Sequence, residues 1–70
     1  MEIIIDYNND KIEIQDDTNP EAIFKVKEPQ KFQQVLFELL NRIDEIDGIS
    51  LRGISLITID EDTKTTVGEW

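Results

Sequence analysis

The sequence predicts an α+β fold: a single small domain of order β-β-β-α-β-β, with one helix packed on one face of a mainly antiparallel sheet. Three observations predict it. Apolar and polar residues alternate in the segments on either side of the middle of the chain. The middle itself switches to the helical period. Seventy residues leave room for one core and no second domain, so residues 1–70 form one unit.

In the first strand Ile3, Ile5 and Tyr7 take one face and Ile4 and Asp6 the other. In the second, Ile12 and Ile14 oppose Lys11, Glu13 and Gln15. An even-numbered loop keeps the apolar faces together, and a loop at 9–10 or 8–11 pairs Tyr7 with Ile12 and Ile5 with Ile14. Asp16-Asp17-Thr18-Asn19-Pro20 reads as a loop by composition. Residues 22–27 read as a third strand with Ala22, Phe24 and Val26 inward and Ile23, Lys25 and Lys27 outward.

Pro29 suits the first turn of a helix. Phe32, Leu36, Leu39, Ile43 and Ile46 then recur at spacings of 4, 3, 4 and 3, widened by Val35 and Leu40, so residues 29–47 form an amphipathic helix. Gln34, Glu38, Asn41 and Glu45 lie opposite that stripe. Gly48 reads as its C-terminal cap, with Ile49 folding back on the last turn. Residues 51–59 form a strand with Ile57 and Ile59 on one side and Ile54 and Leu56 on the other. A three-residue loop at 61–63 leads into a last strand from Lys64 to Trp70, pairing Ile57 with Val67 and Ile54 with Trp70.

Composition excludes most chemistry. The chain has no Cys and no His, which removes disulfides, thiolate metal ligands and the commonest general base. Gly48, Gly53 and Gly68 stand alone, so no phosphate-cradling glycine loop is present. The expectation is a protein that is not an enzyme, with no cofactor, no catalytic residues and no metal site. DYNNDK, residues 6–11, tests that expectation. Asp6, Asn8 and Asp10 take the first, third and fifth places of a calcium loop and Asp17 the twelfth, but Lys11 stands where such a loop needs Gly. The flanks read as strands, so the alternate oxygens come from the period of a hairpin. Asp60-Glu61-Asp62 reads as a solvated turn.

No apolar run exceeds three residues and no signal peptide is recognisable, so a cytoplasmic protein without membrane contact is expected. Sixteen Asp and Glu against seven Lys and Arg give a net charge of −9, which repels nucleic acid and attracts basic surfaces. Lys25, Lys27 and Lys31 make too small a patch for direct nucleic-acid binding.

The charge is therefore the lead on function. Carboxylates on a rigid surface imitate phosphates to a protein built to bind DNA or RNA. The expected function is a non-catalytic acidic protein-binding domain with a basic protein partner, an inhibitor of anti-CRISPR, anti-restriction or nuclease-immunity type from a phage or mobile element. The resemblance to those inhibitors is one of size and charge. Its candidate contact residues are Glu2, Asp6, Asp10, Glu13, Asp16 and Asp17 at the first hairpin, and Glu38, Asp44 and Glu45 on the helix. The alternative is a small structural or assembly protein, a homodimer that self-associates through the sheet face turned away from the helix. Apolar residues left over from one core carry that alternative: Ile4, Ile23, Phe37 and Trp70, with either Ile54 and Leu56 or the residues on the other side of their strand.

Overall fold

The computed structural model describes residues 1–16, 19–46 and 52–70. Five strands and one helix come in the predicted order: β1 (Glu2–Asp6), β2 (Lys11–Asp16), β3 (Asn19–Lys25), α1 (Pro29–Glu45), β4 (Ser55–Asp60) and β5 (Thr63–Glu69). They form one sheet of order β3-β2-β1-β4-β5. Every neighbouring pair is antiparallel except β1 and β4, which run parallel and meet at the centre. Helix α1 connects edge strand β3 to β4, which run in the same direction, and so forms the long crossover that a parallel connection needs. Asp17, the Gly48 cap, Ile49 and the start of the predicted strand at Leu51 lie outside the described residues.

β1 is the middle strand, and its isoleucine run fits that place. Ile3 and Ile5 face the helix and join Ile12 and Leu56 in the core. Ile4 faces the other way, yet it is also buried. A strand covered on both faces tolerates an unbroken apolar run.

The first hairpin keeps the predicted faces but not the predicted pairs. Ile5 pairs with Ile12 and Ile3 with Ile14, because the turn takes Tyr7–Asp10 and closes immediately after Asp6. The second connection also corrects the sequence reading. Asn19 and Pro20 belong to β3 rather than to a loop, and Asn19 pairs with Asp16 across an irregularity after Ile14. β3 is an edge strand, where a proline can be accommodated.

The last hairpin has a two-residue turn, Glu61-Asp62, rather than the three-residue loop expected. Thr66 therefore stands opposite Ile57. A bulge then takes up Val67, Leu56 pairs with Gly68, and the backbones of Ile54 and Trp70 exchange hydrogen bonds of 3.1 and 2.8 Å. The missing loop residue is thus restored by the bulge, so the outer pair is as predicted and the inner pair is not.

Helix α1 begins at Pro29, buried at the first position, and ends at Glu45. Its rotation differs from the expected stripe. Leu40 is buried and Leu36 and Phe37 pack on the core. Phe37 meets Trp70 edge to face, with centroids 5.7 Å apart at 65°. The Trp70 indole Nε1–H donates to Asn41 Oδ1 at 3.0 Å. These contacts turn the Phe37 and Asn41 side of the helix toward β5. Phe32, Val35, Leu39 and Ile46, expected in the core, stand exposed on the opposite flank.

Candidate functional site

Asp6 ends β1 and shapes the turn after it. Its Oδ1 accepts the backbone N–H groups of Asn8 at 2.9 Å and Asn9 at 3.2 Å, and its Oδ2 accepts from Asn9 Nδ2 at 2.9 Å. This capture of the backbone two and three residues on is the ordinary work of an Asx turn. The hydrogen bond from the Asn9 side chain holds the Asp6 carboxyl below its usual range. The two backbone N–H groups and Lys11 act in the same direction, and burial opposes them. Both Asp6 oxygens are thus committed to the turn, and Asp10 closes it in the left-handed region with φ 50°. DYNNDK is a hairpin turn knotted by its own first residue.

Asn8 then joins this turn to the other one. Its Nδ2 donates to the Glu61 carbonyl at 2.8 Å, and its Oδ1 accepts from the Glu61 backbone N–H at 2.8 Å. A side-chain amide with one donor and one acceptor here copies a strand's backbone pairing, and Glu61 meets it with φ 54°. The Tyr7 backbone N–H adds a bond to the Ile59 carbonyl at 2.8 Å. The two turns lie at the same end of the sheet because β1 and β4 are parallel.

Four exposed acids, Asp10, Asp60, Glu61 and Asp62, stand at that end. Tyr7 stands beside them, and its phenol is raised above its ordinary value by burial and then by the charge of Asp60. Sequence alone presents Asp60-Glu61-Asp62 as an isolated turn. The signal that could have joined it to Asp10 is Asn8, the one residue of DYNNDK left without a role once Asp6 and Asp10 are placed.

The acids that the sequence groups at the hairpin are not brought together. Glu2 and Asp16 lie at the opposite end of the sheet, around a shallow polar depression of about 560 Å³ that also touches Met1, Gln15, Gly53 and Ser55. Glu13 faces away from the helix and pairs with Lys11, its carboxylate 2.8 Å from Lys11 Nζ. That contact lowers the Glu13 carboxyl and raises the Lys11 ammonium from their ordinary values. On α1, Glu38, Asp44 and Glu45 are exposed.

The apolar set also divides differently from the expectation. Leu56 is fully buried in the core, and Phe37, Ile54 and Trp70 pack against it on the helix side of the sheet. Ile57 and Ile59, not Ile54 and Leu56, share the outer face with Ile4 and Ile23. There Ile4 and Ile57 are only 4% and 5% exposed, whereas Ile23 on the edge strand is 57% exposed.

Among the described residues no group of three Asp or Glu is arranged to hold a metal ion, and no helix is long and apolar enough to cross a membrane. Comparison of the chain with protein-family models, with curated proteins and with solved structures finds no match. The functional reading accordingly rests on the geometry and charge of the chain itself.

Proposed function

We propose that the chain is a non-catalytic protein-binding domain that presents carboxylates to a basic, nucleic-acid-binding protein and so acts as its inhibitor. The observation that carries this reading is the Asn8–Glu61 amide pair, which locks two acidic turns into one end of the sheet. A charge array held by the fold loses little freedom on binding, and carboxylates fixed in this way can compete with phosphates. The net charge of −9 strengthens encounter with a basic surface and disfavours the nucleic acid itself.

The test is a pull-down on the tagged chain from a lysate of cells carrying DNA-processing enzymes, at low and high salt, with duplex DNA as competitor. Capture of a basic nucleic-acid-binding protein is expected, displaced by DNA and by salt. The triple variant Asp10→Asn, Glu61→Gln, Asp62→Asn should lose the capture while keeping its melting temperature within a few degrees. Capture that survives both the DNA competitor and the triple variant, or no basic partner at low salt, overturns the reading.

A further inference from the structure

The exposed flank of α1 carries Phe32, Val35, Leu39 and Ile46, which are 40, 64, 50 and 50% exposed. Their positions keep to the alternating three- and four-residue steps of a coiled-coil seam, with Arg42 filling the remaining place. A core-facing helix buries such a seam. Here the contacts of Phe37 and Asn41 with Trp70 hold it turned away from β5.

We infer that this flank is the interface between two copies of the chain, packed helix against helix in antiparallel sense about a twofold axis near Leu39. The charges beside the seam select that occupant. Lys31, Glu38 and Glu45 follow one edge of the stripe at seven-residue steps, and Arg42 stands in the stripe between Glu38 and Glu45. All four are exposed. An antiparallel copy sets Lys31 beside the partner's Glu45 and Arg42 beside the partner's Glu38, twice over by symmetry. A parallel copy turns this charged edge toward the partner's opposite edge, where Leu36 and Ile43 stand, and leaves the charges without a facing partner. Within one copy Lys31 reaches Glu28 at 3.4 Å in a solvated pair, which exchanges at little cost. In a chain of net charge −9 most surfaces repel their own copies, whereas these four charges balance.

The area is sufficient. The four side chains leave about 400 Å² of apolar surface in water per copy, taking roughly 170–240 Å² for each fully exposed residue. Doubled, and with the polar share of an ordinary interface added, this reaches about 1,400 Å² in total, within the range of stable specific contacts. The outer sheet face offers less, because Ile4 and Ile57 are already covered there.

Sedimentation equilibrium of the full chain over a micromolar to millimolar series tests the inference. A monomer–dimer equilibrium is expected, with Leu39→Glu raising the dissociation constant at least tenfold. Trp70 lies on the other flank, so unchanged tryptophan emission in Leu39→Glu confirms an intact fold. Lys31→Glu should also weaken the dimer, and adding Glu45→Lys to it should restore most of the loss. A monomer at every concentration, a dimer indifferent to Leu39→Glu but abolished by Ile23→Glu, or a double charge variant no better than the single one overturns it. None of these substitutions touches Asp10, Asp60, Glu61 or Asp62, so this result and the pull-down succeed or fail separately.

Discussion

Gly68 is where a single methyl group should be felt most. It pairs with Leu56 beneath the helix, and a Cβ there would stand 2.6 Å from Trp70 Cη2, 3.0 Å from Trp70 Cζ3 and 3.1 Å from Phe37 Cε2. Carbon atoms rest about 3.5–4.0 Å apart, so in Gly68→Ala the indole must retreat by about 1 Å. The Trp70 backbone is pinned to Ile54 on both its N–H and C=O, so the ring swings rather than the strand. That swing stretches the indole hydrogen bond to Asn41 and the edge-to-face contact with Phe37, each worth about 0.5–1.5 kcal/mol. Alanine recovers about 0.5–1 kcal/mol of the backbone freedom that glycine loses in a strand. The net cost is about 1–2 kcal/mol, a fall in melting temperature of roughly 5–15 °C for a domain of this size. Thermal unfolding followed by circular dichroism measures it, and the emission of the single tryptophan reports the displaced ring. In a Trp70→Ala background the same Gly68→Ala change should cost less than about 0.5 kcal/mol, because its main obstacle is gone. Equal destabilisation in both backgrounds would refute the mechanism, since the cost would then lie in the strand and not at the ring.

Three other outcomes rest on contacts elsewhere in the sheet and its turns. Leu56→Ala opens a cavity beneath Ile3, Ile5 and Ile12 and should cost about 2–5 kcal/mol, read from chemical denaturation. Asp6→Asn keeps an acceptor for the two turn N–H groups but sets an amide donor against Asn9 Nδ2, so it should destabilise the neutral-pH protein by about 1–2 kcal/mol. The Asp6 carboxyl is held lower in the folded chain than in the unfolded one. Its contribution is therefore complete above about pH 4 and is lost as pH falls through the folded value, and melting curves of the two proteins should converge in acid. Asn8→Ala breaks both bonds to Glu61 in a solvated turn and should cost about 1 kcal/mol, with faster amide exchange confined to residues 7–10 and 60–62.

The faces of β1 and β2 were legible in the sequence because a period of two admits only two assignments and one of them buries isoleucines, whereas β4 is apolar on both sides and its alternation did not say which side meets the helix. Register within a face was not legible, because Ile3, Ile5, Ile12 and Ile14 are interchangeable partners. What chose among them was Asp6 capturing Asn8 and Asn9, a local signal present in DYNNDK but outweighed there by the Asn9-Asp10 turn preference. The bulge at Val67 left no such signal, since both strands alternate acceptably without it. Helix α1 shows a third kind of limit. Its apolar arc, from Val35 round to Phe37, is wider than one sheet can cover, so periodicity locates the helix without fixing its rotation. Trp70 settles that rotation from far along the chain. The acidic end was legible as charge but not as a site, because Asn8 and Glu61 are distant in sequence and meet only through the parallel seam.

That seam also carries the pairing between strands farthest apart in the chain. β1, β2 and β3 can zip as a local meander while the rest of the chain is still being made, since each pairs with its neighbour in sequence. β1 meets β4 only after α1 and the segment beyond it have been traversed, and β4 brings β5 with it. Closing that long loop is the costly entropic step. Until it closes, the strand richest in isoleucine presents a bare edge to its surroundings, which is the state most open to chaperones and to aggregation. The middle of the finished sheet is thus the part whose protection depends on the most distant segments of the chain.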